Sequence, residues 1–195
     1  GVLAFVIAAV VFARLGVVHI GHLESLGMTD SLSLLPNRRA LHIDVQRNGT
    51  KDSELAIALI DLDGFKPVND QYGHSVGDQL LIEVARRLQH ACGENGIVAR
   101  MGGDEFAILL SPESTISSSA CADHMLAALV PPCDVGGHVI RVRASIGIAT
   151  WPIDGETAES LFEAADRQLY AVKNYAARVQ GPAPEHRKNR RSKSG

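Results

Sequence analysis

The sequence predicts one mixed domain in which strands and helices share a core, and three observations carry that expectation. Ile97 to Ala99 and Phe106 to Leu110 are apolar, β-prone runs joined across Gly102-Gly103, the pattern of a tight hairpin whose turn needs positive φ. Leu55 to Ile60 is apolar at every position, as in a central strand covered on both faces. Between these runs, Val76 to Cys92 places Leu81, Val84, Ala85 and Leu88 on one helical stripe.

The elements follow in order. Gly1 to Ala13 is uncharged and almost wholly apolar. It is shorter than the ~18 apolar residues of a spanning helix. We read it as the C-terminal part of a transmembrane helix whose remainder precedes Gly1; a signal-peptide core or a buried helix are the alternatives. Arg14, Arg38 and Arg39 then place the following chain on the cytoplasmic side of the cell membrane. Residues 14–29 form a linker, whose glycines argue against a long coiled coil. From Asp30 a helix is expected, capped by Ser33 with Pro36 in its first turn and ending near Asn48-Gly49.

The strand Leu55 to Ile60 runs into Asp61 and Asp63, which share a face by the two-residue period. Gly64-Phe65-Lys66-Pro67 turns into a short helix whose free N–H groups, with Lys66, suit a phosphate; a capped turn with a solvated lysine is the plain alternative. Asp78 is placed in the first turn of the next helix, where it either favours the helix dipole or points into a site. At the hairpin, Asp104 and Glu105 stand where a buried strand begins. Carboxylates there are costly unless paired or bound to a cation. An ordinary hairpin with acidic shoulders would explain the motif alone, but the second acidic strand end at Asp61 and Asp63 argues for a site. A helix from about Glu113 to Leu129, a strand from Val139 to Thr150 and an amphipathic helix from Thr157 to Ala177 follow. Asp166, Tyr170 and Lys173 are spaced to share one face of the last. Residues 181–195 form a basic, aromatic-free tail expected to be disordered.

Composition bounds what this domain does. The chain has 195 residues, 46% of them hydrophobic, so it builds a real core; its net charge of −3 gives no reason to expect nucleic acid. Cys92, Cys121 and Cys133 show no metal or disulfide spacing and are read as reduced structural thiols. The histidines form no ligand cluster, and the pair His19 and His22 is incidental.

Four stretches together resemble the GGDEF family of diguanylate cyclases. They are Asp61 to Asp78, Arg100-Met101-Gly102-Gly103-Asp104-Glu105-Phe106, Ser145 to Ala149, and the helix carrying Ala165, Asp166, Leu169, Tyr170 and Lys173. Their order and spacing are far more specific than the five-residue signature alone. The resemblance runs from Asp30 to about Gln180. It implies an α+β fold with a central, mainly antiparallel sheet flanked by helices, like nucleotidyl cyclases and polymerase palms with their ferredoxin-like core. It implies condensation of two GTP into cyclic di-GMP with loss of two pyrophosphates, in a homodimer whose subunits each hold one GTP. It also implies Mg²⁺ or Mn²⁺ at Asp61, Leu62 and Asp104, since hard cations want oxygen ligands. Catalysis falls to Glu105, Asp104 and Asp61, with Glu105 a base or a ligand. GTP binding falls to Phe65, Lys66, Gly102, Gly103, Lys173 and Arg178, the last in place of an arginine one residue earlier, with Asn69 and Asp78 reading guanine.

The chain departs from the family pattern in three places. Leu34 replaces a glycine. Ala177 replaces a phosphate-binding arginine, with Arg178 one residue late and about 100° round the helix. Gly93 and Gly96 replace the arginine and aspartate of the product-inhibition motif. A GTP-binding regulatory or interaction module without turnover is therefore the rival to an active cyclase.

Overall fold

A computed structural model describes residues 27–49, 55–110, 114 and 116–180. The expectations for residues 1–13, most of the linker and the tail lie outside the described residues. Among those described, no helix is long and apolar enough to cross a membrane.

Four antiparallel strands form the central sheet in the order β2-β3-β1-β6, with β1 (Leu55–Asp63), β2 (Gly96–Gly102), β3 (Glu105–Leu110) and β6 (Arg143–Trp151). The unbroken apolar run of β1 matches its central place. Its even residues Ala56, Ala58, Ile60 and Leu62 join one core, and its odd residues Leu55 and Ile57 join a second. The first core is covered by α3 (His74–Cys92) through Leu80, Leu81, Val84 and Leu88, and by α4 (Ser118–Leu129) through Met125 and Leu129. The second is covered by α1 (Arg38–Asn48) through Leu41 and Val45, and by α5 (Ala158–Gln180) through Leu161 and Ala165. Gly147 of β6 lets α5 lie close, because a Cβ there would collide with the Ala165 carbonyl and the Leu169 backbone. The short helix α2 (Phe65–Tyr72) joins β1 to α3, and β4 (Cys133–Val135) pairs with β5 (His138–Ile140) in a separate hairpin. This is the expected antiparallel sheet with flanking helices.

Several boundaries differ from the sequence reading, each for a local reason. The first helix is not capped by Ser33, and Pro36 lies outside it. Pro36 bridges to Thr29, and its carbonyl accepts from the Arg100 N–H at 2.9 Å, which keeps the segment extended until Asn37. Asn37 is the cap, its side-chain oxygen accepting from the Ala40 N–H at 3.1 Å. The helix ends at Asn48 with Gly49 after it, as expected. α4 starts only at Ser118, where Ser117 accepts from the Ala120 N–H at 3.2 Å. The stretch from Val139 to Thr150 is not one strand; it breaks at Arg141-Val142 between β5 and β6. α3 begins at His74, so Asp78 sits beyond the first turn rather than in it.

The three cysteines are buried and free. Burial, with a smaller contribution from Cys92, pushes the Cys121 thiol up to about 11. These are unreactive core thiols.

Candidate active site

The site grows from the end of β1. Register puts Asp61 opposite Glu105 on β3 and Ser145 on β6, and Asp63 opposite Arg143. Among the described residues Ser145 is the one buried polar side chain, and its hydroxyl donates to Asp63 Oδ1 at 3.0 Å. Lys173 reaches from α5 and places Nζ 2.6 Å from Asp61 Oδ1. The strand then stops at Gly64, whose φ of 78° swings the chain into α2. No side chain caps α2, so its first turn keeps N–H groups free for an anion.

Asp104 comes from the β2–β3 turn. Gly102 and Gly103 sit at φ of 133° and 55°, and a Cβ on either would touch nothing. Backbone conformation, not crowding, therefore requires these glycines. A register shift between Arg100 and Gly102 tilts the turn, and the Leu62 N–H donates to the Asp104 carbonyl at 3.3 Å. That bond ties the turn to the end of β1.

Arg100 straps the same turn to the loop before α1. Its guanidinium donates to the Gly103 carbonyl at 2.7 and 3.1 Å and to the two Asp30 carboxylate oxygens at 2.9 and 3.1 Å. Asp30 also accepts from the Ser33 N–H at 2.8 Å and the Ser33 hydroxyl at 2.7 Å. Burial alone would raise the Asp30 carboxyl, but the Ser33 bonds and Arg100 outweigh it and hold it below its ordinary value. Leu34, at φ of 60°, closes this loop, so the position where a glycine was expected does need the left-handed conformation.

Between these elements lies an open cleft of about 490 Å³, lined by Asp61, Leu62, Asp63, Gly64, Phe65, Lys66, Pro67, Asp104, Arg143, Lys173 and Ala176. The structure thus brings together Asp61, Leu62, Asp104, Phe65, Lys66 and Lys173. The other expected site residues lie around it. Glu105 is the cross-strand neighbour of Asp61 but lines an adjoining cavity of about 230 Å³ with Arg38, Met101, Phe162 and Asp166. Asn69 is on α2 and Asp78 on α3. The two helices meet where Gly77 lies against Asn69, so that a Cβ on Gly77 would collide with the Asn69 carboxamide oxygen. Tyr72 packs against His138 of the β4–β5 hairpin, ring centroids 4.7 Å apart, which braces this elbow. Gly102 and Gly103 shape the turn without lining the cleft. Arg178 is exposed on α5 and does not line the cleft. Tyr170, expected on the face of Asp166 and Lys173, is largely exposed.

Arg143 was not singled out from the sequence. The two-residue period before Ser145 would have placed it on the face of Asp63, but the register that sets it beside the cleft is not readable from β6 alone.

Residues 27–178 match the family model for the diguanylate cyclase GGDEF domain. The chain belongs to the GGDEF family. Among its relatives is the bifunctional diguanylate cyclase/cyclic di-GMP phosphodiesterase MucR of Pseudomonas aeruginosa, 38% identical over 78% of this chain and 23% of MucR. Another is the diguanylate cyclase TpbB of Pseudomonas aeruginosa, 37% identical over 75% of this chain and 35% of TpbB. A solved structure comprising only the GGDEF domain of TpbB matches with a TM-score of 0.70 and 35% identity, covering 75% of this chain and 89% of that one. The chain therefore spans about a quarter to a third of the length of these two full relatives. At the level of the family, a GGDEF domain points to cyclic di-GMP signalling.

Proposed function

We propose that this GGDEF domain is an active diguanylate cyclase, joining two GTP molecules into cyclic di-GMP with release of two pyrophosphates. One observation carries the reading: Asp61 and Asp104, from two separate elements, open onto one cleft whose rim holds Lys66, Lys173 and the uncapped start of α2. Two carboxylates and two ammonium groups gathered at one open groove suit a metal-triphosphate.

In this reading the 3′-hydroxyl of one GTP attacks the α-phosphate of the other, and the bond from that phosphorus to the pyrophosphate oxygen breaks. Two such events close the ring. Each cleft holds one GTP, so two copies of the domain face each other during turnover. Lys66 and Lys173 hold the phosphates. Glu105, next to Asp61 across the β1–β3 pair, acts at the attacking hydroxyl as a base or as a ligand. Asn69 and Asp78 read the guanine edge. A carboxylate accepts from both N1–H and the 2-amino group, donors that adenine does not present there.

The donor set fits Mg²⁺. Among the described residues no three His, Cys, Asp or Glu side chains are arranged to hold a metal ion. Two carboxylates and the Leu62 backbone oxygen instead match a cation that keeps waters and takes phosphate oxygens as its other ligands. Bound there, Mg²⁺ neutralises triphosphate charge and supports in-line displacement.

A second reading, a GTP-binding module without turnover, is favoured by the Lys173 ammonium seated on Asp61 and by the missing arginine at Ala177. Incubating the purified protein with GTP and Mg²⁺ and separating products by chromatography decides between them. Cyclic di-GMP that disappears in a folded Asp104→Ala variant supports the cyclase; GTP binding without product supports the module. In the full protein we place residues 1–13 in the cell membrane, with the GGDEF domain on its cytoplasmic side. Recovery of the full-length protein in the soluble fraction would refute that placement.

A further inference from the structure

The cleft contains three cations, and they are not equivalent. Lys173 is engaged, with Nζ 2.6 Å from Asp61 Oδ1. Lys66 is at the outer edge and lies 3.7 Å from Asp70 one helical turn on. Arg143 is the remaining one. Its cross-strand partner is Asp63, which the antiparallel register sets directly opposite. An aspartate and an arginine so placed would ordinarily pair. They do not pair here: the Asp63 carboxylate accepts instead from the Ser145 hydroxyl at 3.0 and 3.3 Å. Among the described residues Arg143 has no carboxylate within ion-pair distance. A guanidinium that shares a cleft with two lysines and the uncapped start of a helix, and has no anionic partner among the described residues, suits a polyphosphate.

The surroundings say which part of the ligand it takes. Arg143 stands at the first position of β6, and Ala176 of α5 lines the same cleft. Ala176 precedes Ala177, where the family pattern has a phosphate-binding arginine. Ala176 adds neither charge nor side-chain donor to the cleft. A guanidinium missing from α5 is thus matched by one arriving from the adjacent strand. Charge agrees with this. Asp61, Asp63 and Asp104 are balanced by Lys66, Arg143 and Lys173, so the cleft by itself carries no net formal charge. Divalent cations on the aspartates would make it strongly attractive to a triphosphate.

We infer that Arg143 binds the terminal phosphates of the nucleotide, supplying from β6 the guanidinium that Ala177 removes from α5. The inference deepens the cyclase reading and rests on it for the identity of the nucleotide, but not for the binding of polyphosphate. It replaces Arg178, which lies outside the cleft, as the residue compensating for Ala177.

The test uses two probes, inorganic triphosphate and GTP, each titrated into the purified chain with Mg²⁺. Arg143→Ala should weaken both by about tenfold, the loss expected for a charge-assisted contact to phosphate. Affinity for GMP, which lacks the terminal phosphates, should stay as in the wild type. Arg143→Lys should recover part of the loss, since a lysine keeps the charge but not the fork. Because Arg143 is exposed, the thermal midpoint should not move. Unchanged affinity for triphosphate and GTP in Arg143→Ala overturns the inference, as does an equal loss for GMP. If the wild type binds triphosphate through Arg143 yet neither prefers GTP over ATP nor makes product, Arg143 keeps its role and the cyclase reading fails. If the wild type makes cyclic di-GMP while Arg143→Ala keeps its KM for GTP, the reading stands and the inference fails.

Discussion

Leu34 is the point where this chain carries strain that a single substitution can reveal. Its φ is 60° and it is 76% exposed, so it pays for a left-handed backbone without burying much side chain in return. The left-handed region costs a residue with a Cβ about 1–2 kcal/mol. Glycine avoids that cost but loses about 0.5–1 kcal/mol more backbone entropy on folding. Leu34→Gly and Leu34→Ala remove nearly the same exposed side chain, so their difference isolates the backbone. Glycine should be the more stable of the two by about 0.5–1 kcal/mol. For a domain of this size that separates thermal midpoints by roughly 1–4 °C. The sign is diagnostic, because where φ suits any residue alanine is better than glycine by about 0.4–1 kcal/mol. Urea and thermal unfolding of the two variants give the number. An alanine variant equal to or more stable than the glycine variant would refute the argument and show that the loop relaxes out of the left-handed region at little cost.

Three further outcomes follow from the structure. Gly77→Ala places a methyl where the Asn69 carboxamide oxygen stands, so that side chain must swing aside; the gain of about 1 kcal/mol usual for this change in a helix interior should be reduced or lost, the KM for GTP should rise, and a variant stabilised in full with unchanged KM would separate Asn69 from the site. Asp30 has a folded pKa below its unfolded value, so its contribution is present above the unfolded pKa and is lost as pH falls through the folded one; the gap in urea midpoint between wild type and Asp30→Asn should therefore be widest near neutral pH and close on going below pH ~4, and a gap independent of pH would deny the Arg100 strap its charge. Initial rates at saturating GTP should be nearly insensitive to micromolar cyclic di-GMP, because Gly93 and Gly96 stand where the inhibition motif has its arginine and aspartate, and Arg100 is committed to Asp30 and Gly103; strong non-competitive inhibition would mean that another surface binds the product.

What could be read from the chain, and what could not, divides along covalent distance. The Gly-Gly turn, the apolar β1 and the α3 stripe depend on neighbours within a few residues, and each was legible as a local pattern. Asp61 and Asp104 were legible as acidic strand ends for the same reason. Boundaries failed where a distant partner intervened. Asn37 caps α1 because Arg100, far along the chain, holds Pro36 extended. Arg100 itself showed in the sequence only as the first residue of the signature. Only the fold shows its guanidinium spanning Asp30 and Gly103, at a side-chain exposure of 10% that leaves little of it for a ligand. Arg143 is the reverse case. Its sequence neighbours announce a plain strand, yet register sets it opposite an aspartate that bonds to Ser145 and not to it. Two arginines of the same charge thus exchange the roles that their positions in the chain suggest. The one inside the signature is consumed in holding the turn, and the one outside it keeps its donors for phosphate.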